Sequence, residues 1–150
     1  MEITSCQIKR DPKLIPLWSS LVNRWHQLDD EAYCVAEATF RKKGFIGKPD
    51  LVIFTTTESS MNTDCLFSQS EKFSPSHFVH TLPNVRSLSF SLVLNWEGPL
   101  LCTSLGEHSL RTANELSKIH LKSKQVKNVM IVLVSRLDEV IKIDFIKNKE

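Results

Sequence analysis

Gly106 and Glu107 stand where a short apolar run over Leu100 and Leu101 gives way, through a turn at Leu105-Gly106, to a helix that opens near Glu107 and His108. Strand, tight glycine turn and helix make the layout of a nucleophile elbow. Such an elbow presents one side chain at a helix start, where free amide N–H groups favour negative charge. A carboxylate there can act as an acid–base group together with His108. It can also do no chemistry, since an acidic side chain in a first helical turn gains roughly 0.3–1 kcal/mol from the helix dipole when exposed. The second reading is preferred. Cys102 lies five residues before Glu107, on or beside the strand, and reads as a packed side chain more than as a displaced nucleophile.

The elements that would carry these residues can be read in order. Residues 2–6 make a short strand. Leu14, Leu17, Trp18, Leu21, Val22, Trp25 and Leu28 recur at spacings of three and four, which predicts an amphipathic helix with Pro12 and Pro16 in its first turn and both tryptophans turned toward a sheet. Asp29 and Asp30 cap a second helix, which runs out at Arg41, Lys42, Lys43 and Gly44, basic residues and a glycine suiting its negative C-terminal end. Leu51, Val52, Ile53 and Phe54 followed by three threonines form a β-prone run, as for a strand buried on both faces. The polar, Ser-rich stretch after it is a loop with room for a short helix, at the strand's carboxyl end, where layered α/β folds place their sites. Residues 126–134 give a second apolar strand. Residues 135–139 are turn-like, residues 140–146 alternate as a half-exposed antiparallel strand, and the terminal KNKE is frayed.

Composition narrows the class. The 150 residues suit one domain spanning 1–150, and 41% apolar with 24% charged residues is globular rather than disordered. The net charge of +2, from 19 basic and 17 acidic side chains, gives no support to a nucleic-acid partner. No apolar run approaches the roughly 20 residues of a membrane helix and no secretory leader is evident, so a cytoplasmic protein without a membrane partner is expected. Cys6, Cys34, Cys65 and Cys102 are irregularly spaced, with no metal or redox motif. No cofactor and no metal are expected.

The order of SPSHFVHTLPN at residues 74–84, a small-and-apolar helix, NWEGP at 95–99, the Gly106-Glu107 elbow, a helix and the strand VMIVLV resembles the N-terminal half of a β-ketoacyl synthase of the thiolase superfamily. It is most similar to the divergent, chain-length-factor-like proteins that accompany aryl-polyene and related type II polyketide pathways. The resemblance covers about residues 49 to 140; the first 48 match only in helical pattern. It implies an α/β fold, a thiolase-like N-terminal half with a mixed β-sheet layered with helices.

In the catalytic family a cysteine occupies the elbow and accepts the acyl chain as a thioester. Counted from Gly98-Pro99, that position falls on Glu107 here, and a carboxylate cannot form the thioester. The family's two histidines and lysine come from a C-terminal repeat that lies past the end of this sequence, and none of His77, His80, His108 and His120 stands where they would. The resemblance therefore implies no catalytic residue. It implies a non-catalytic subunit that pairs with an active β-ketoacyl synthase as a heterodimer, in fatty-acid or polyene-type biosynthesis, with an acyl carrier protein as a further candidate partner. The partner would be met along Leu100, Leu101, Cys102, Thr103 and Ser104, and the loop Leu82, Pro83, Asn84, Val85 and Arg86 would lie by its acyl tunnel. An open apolar edge strand would be an aggregation risk, which gives a separate reason to expect it covered. Two other readings stay open: a stand-alone acyl-thioester enzyme using Glu107 with His108 or Cys102, and a homodimeric carrier-protein-binding module.

Overall fold

Two runs in this chain, LVIFTT and VMIVLV, have no polar side to turn toward water, so they can persist only inside a sheet covered on both faces. The computed structural model, which describes residues 1–59, 61–72, 75–79, 82 and 84–150 (side chains of 76 and 77 excepted), places both at its centre. The strands are β1 (Glu2–Ile8), β2 (Leu51–Thr56), β3 (Leu100–Ser104), β4 (Asn128–Leu137) and β5 (Val140–Lys149). The helices are α1 (Asp30–Ile46), α2 (Met61–Ser68), α3 (Pro75–Val79), α4 (Val85–Leu94) and α5 (Ser109–Lys122).

The strands lie in the order β1-β5-β4-β2-β3. β2 runs parallel to both β4 and β3, with Val52 opposite Met130 on one side and Leu100 on the other. β5 is antiparallel to β4 and to β1, so the sheet is mixed. One face, with Val52, Phe54, Met130, Val132 and Phe145, packs against α1 and α4 through Cys34, Val35, Ala38 and Phe90. The other, with Leu51, Ile53, Val129, Ile131 and Ile146, packs under Ala113 and Leu116 of α5. The result is a three-layer α/β arrangement, as expected.

α1 begins where the sequence places it: the Asp29 carboxylate accepts the Ala32 amide at 2.8 Å, satisfying one of the free N–H groups of the first turn. It ends later than expected. Gly44 lies within the helix, and the cap is Gly47, whose φ of 64° is open to glycine without penalty. Ile46 is fully buried, and Lys147 donates its ammonium to the Phe45 carbonyl. These contacts offset the roughly 1 kcal/mol that a mid-helix glycine costs.

The predicted amphipathic helix over residues 14–28 is not formed. The segment is a series of turns, closed by Ser19 N–H to Pro16 O at 3.0 Å and Leu21 N–H to Trp18 O at 2.9 Å, with one 3-10 turn at Trp25–Gln27. A helix here would have carried Pro16 without its amide, and Arg24 adopts a left-handed φ of 55°. Only part of the stripe is used. Trp18 and Val22 are buried, whereas Leu14, Leu17 and Leu21 face water. The Trp18 ring sits edge-on to Tyr33 of α1 at 5.1 Å, and its Nε1–H donates to Glu37 at 2.6 Å.

The C-terminal strands also differ from the expectation. β4 continues through Arg136 to Leu137, and the turn is reduced to Asp138 and Glu139, with Asp138 at φ 53°. β5 is an interior strand instead of a half-exposed one, because β1 takes its far side, and it extends to Lys149 where fraying was expected. Asp144, polar in the alternation, is buried and paired with the Lys142 ammonium at 3.0 Å and the Ser5 hydroxyl.

The turns set two neighbouring side chains apart. Truncating Trp18 to Ala is expected to cost about 3–5 kcal/mol in urea unfolding, whereas Leu17→Ala stays within about 0.5 kcal/mol. A helix with the predicted stripe would make the two losses comparable.

Candidate functional site

β1, β4, β2 and β3 run in the same direction, so the segments leaving their carboxyl ends gather at one edge of the sheet. Arg10 lies past β1, Arg136 near the end of β4, α2 after β2, and the elbow after β3. This carboxyl edge is where layered α/β folds place ligands.

The elbow has the predicted form. Gly106 takes a φ of 57°, a single 3-10 turn spans Gly106–His108, and α5 begins at once. The buried Ser109 hydroxyl fixes it, donating to Thr56 O at 2.9 Å and accepting the Leu105 amide at 3.0 Å. The side chain presented is Glu107, but it is presented to water: its side chain is 87% exposed, that of His108 is 69% exposed, and they stand 3.6 Å apart. An exposed pair of this kind gains little from its contact and lacks the water-excluded surroundings that give a carboxylate catalytic leverage.

Cys102 is exposed on β3, its sulfur 3.5 Å from the Ser87 hydroxyl of α4 and not beside Glu107. Cys6 and Cys34 are buried thiols. Burial pushes the Cys34 thiol up to about 12, so it is no nucleophile near neutral pH. His120 lies in the last turn of α5, away from the elbow, while His80 and the side chain of His77 fall outside the described residues. Among the described residues, no cluster of His, Cys, Asp and Glu forms a metal-binding group, and no helix is long and apolar enough to cross a membrane.

The two segments expected to meet a partner are brought together. β3 closes the sheet, pairing only with β2 among the described residues, where Thr103 Oγ1 donates to Thr55 Oγ1 at 2.9 Å and the Ser104 hydroxyl to Thr56 O at 3.2 Å. Its Leu100 and Cys102 line an open groove with Asn84, Val85, Ser87 and Leu88. Leu82 is exposed nearby, and Pro83 lies outside the described residues. The segment is not a loop throughout, since Val85 and Arg86 form the first turn of α4. Arg86 is fully buried and points into the body of the chain, so it cannot reach a partner's pocket.

The contacts of Arg86 have no counterpart in the sequence reading. Its Nε lies 2.7 Å from Glu31 Oε2, too bent for a hydrogen bond, and its Nη2 bonds Asp29 Oδ2 at 3.1 Å and the Thr63 hydroxyl at 3.2 Å. Thr63 donates to the same Asp29 oxygen at 2.8 Å, and Arg136 approaches the other Glu31 oxygen at 3.4 Å. Two guanidinium groups and two carboxylates thus join α1, α2, α4 and β4. All but Arg86 border a cleft of about 400 Å³ lined by Arg10, Asp29, Glu31, Thr63, Phe67 and Arg136, among others. The one signal available was spacing: Arg86 shares the stripe of Phe90 and Val93, at i, i+4 and i+7, which α4 turns inward.

Burial raises the Glu31 carboxyl above its ordinary 4.5, against the pull of Arg86. A raised acid binds more protons folded than unfolded. Its stabilising contribution is therefore complete below the ordinary 4.5 and is lost as pH rises through the folded value. The stability difference between the wild type and Glu31→Gln should fall as pH is raised above that point, measured by urea unfolding. Removing the countercharge is more severe. Arg86→Met takes the buried countercharge from two carboxylates, leaving Glu31 only Arg136 as a cationic neighbour, and is expected to cost about 3–5 kcal/mol, and the double variant Arg86→Met/Glu31→Gln should lose less than Arg86→Met alone.

No family model matches the sequence, and no curated protein matches it. The fold is similar to one in the complex of the ketosynthase ApeO with its chain length factor ApeC from Xenorhabdus doucetiae, with a TM-score of 0.68 and 11% identity, over 94% of this chain and 64% of the matched chain. It is also similar to the ketosynthase from module 6 of the bacillaene synthase of Bacillus subtilis 168, with a TM-score of 0.60 and 13% identity, over 90% of this chain and 26% of that one. In both cases this chain spans less than two thirds of the length it is matched to. Nearly equal shares of this chain make up 64% of one and 26% of the other, so the chain matched in the complex is less than half as long as the module ketosynthase. A mixed sheet between helices, five-stranded among the described residues, an elbow after β3 and these likenesses agree: the chain has a ketosynthase-like α/β fold.

Proposed function

We propose that this chain is a non-catalytic, chain-length-factor-like subunit that pairs with a cysteine-bearing β-ketoacyl synthase through β3 and the groove beside it. The observation that carries the reading is the elbow itself, correctly folded but offering the exposed carboxylate of Glu107 where the family it resembles has a thiol. A carboxylate cannot hold the acyl chain as a thioester, so the condensation is left to the partner.

Three further observations support the pairing. β3 ends the sheet with an edge free among the described residues, and free strand edges are templates for another chain. That edge and the start of α4 share one groove, with Leu88 and Leu92 of α4 exposed along it or next to it. A similar fold also occurs in a complex of a ketosynthase with its chain length factor, in a chain much shorter than the module ketosynthase. On this reading the subunit completes the partner's acyl tunnel and limits what it accepts in fatty-acid or polyene-type biosynthesis. An acyl carrier protein would be engaged by the pair.

The test is co-expression with a candidate ketosynthase partner, followed by size-exclusion chromatography with mass measurement. The proposal expects a one-to-one heterodimer. Cys102→Lys, which sets a charge on the exposed side of β3, should weaken it by about 30-fold or more while leaving the subunit folded. A subunit that ignores the ketosynthase and elutes as its own dimer would replace this reading with the homodimeric module. Turnover of an acyl thioester by the subunit alone, lost in Glu107→Ala, would replace it with the enzyme.

A further inference from the structure

α2 is attached differently from the other long helices. None of its residues is buried, and Met61 and Leu66 are 57% and 63% exposed, so little apolar surface holds it down. Yet it forms one wall of the cleft at the carboxyl edge of the sheet, contributing Asn62, Thr63, Leu66 and Phe67. The facing wall is the start of α1 with the segment before it. That wall is held firmly by Arg10, whose guanidinium donates to Leu28 O at 2.6 Å and His26 O at 3.2 Å.

We propose that α2 is a hinged flap over this cleft, latched shut by the Thr63 hydroxyl on the pair of the half-buried Asp29 and the buried Arg86. The latch has two hydrogen bonds, both to charged groups: Thr63 donates to Asp29 Oδ2 at 2.8 Å and accepts from Arg86 Nη2 at 3.2 Å. Asp29 and Arg86 also bond each other directly at 3.1 Å, so they keep their main contact when Thr63 leaves. Opening would release Thr63 and let water reach Arg86 while the Asp29–Arg86 contact stays in place. The chain supplies a pivot upstream, where Ser59 takes a left-handed φ of 53° between β2 and α2. Downstream, Ser70 turns the chain with its hydroxyl on the Lys72 carbonyl. The flap rests on α3 through Phe67 and Phe78, whose rings are 5.9 Å apart. A cleft of about 400 Å³ falls in the size range of small-ligand sites, and the latch would govern entry to it. The flap does not depend on whether the chain pairs with a ketosynthase.

Hydrogen exchange on the whole chain, read by mass spectrometry, tests the flap. In the wild type, amides of residues 61–68 should be protected but should exchange by a local opening whose rate ignores low urea, while amides of β2 and β4 track global unfolding. In Thr63→Val, exchange of residues 61–68 should rise about tenfold or more, the loss expected for hydrogen bonds to charged groups, with β2 and β4 unchanged; Thr63→Ser should behave as wild type. The proposal is overturned if residues 61–68 are unprotected in the wild type, or if they open only with β4. It is equally overturned if Thr63→Val leaves their exchange unchanged or accelerates the strands by the same factor. The wild-type urea dependence decides the matter even if the valine variant does not fold.

Discussion

A fully buried arginine must be matched by acid, and where the matching carboxylates come from decides how this chain is put together. Arg86 enters from α4, Asp29 and Glu31 from the start of α1, and neither side is tolerable inside the protein without the other. The pair of contacts fixes the height of α4 against α1, and α4 is the helix that lies behind β3. Asp29 serves twice, with one oxygen capping α1 and the other facing Arg86 and Thr63. The charge cluster and the helix start therefore form or fail together. Such a cluster adds less net stability than its number of contacts suggests, because each ion was well solvated before folding. In the observed packing of α4 on α1, Arg86 meets two carboxylates at once.

From that anchor the functional edge takes its form. α1 and α4 cover one face of the sheet and α5 the other, which leaves β3 as the last strand and its elbow at the carboxyl edge. The elbow is well made: Ser109 ties it to β2, and Gly106 supplies the positive φ. Good backbone geometry with an exposed carboxylate at its tip is what a ketosynthase-like fold would keep if the position served shape and no longer chemistry. On the proposed reading, the same elbow holds β3 in place for the synthase.

The parts of this structure that could be read from sequence are those where one residue type leaves one option. Unbroken apolar runs suited central strands, Asp29 with Asp30 suited a helix start, where Asp29 is the cap and Asp30 the first helical residue, and a glycine between a strand and a helix gave the elbow. The resemblance to ketosynthases rested on the same stretch, and the fold agrees with it. The failures arose where two demands competed. Residues 14–28 have helical spacing, but Pro16 opposes a helix and burial of Trp18 with Val22 is enough to fix the segment, so the leucines between them were free to face water. Gly44 resembles a helix end, but the core has a place for Ile46 one half-turn further on. Residues 140–146 alternate like an exposed strand, yet β1 arrives from the far end of the sequence to cover them. Arg86 was misplaced for the plainest reason: a charged side chain reads as surface, and its carboxylate partners are more than fifty residues away.

The central claim is that this polypeptide shapes an acyl-transfer reaction without entering it. Its most direct test is the intact mass of the purified chain, with peptide mapping, after incubation with an acyl thioester such as octanoyl N-acetylcysteamine. A non-catalytic subunit leaves the elbow peptide unmodified, Glu107 included. An acyl group found on Glu107 would contradict the claim.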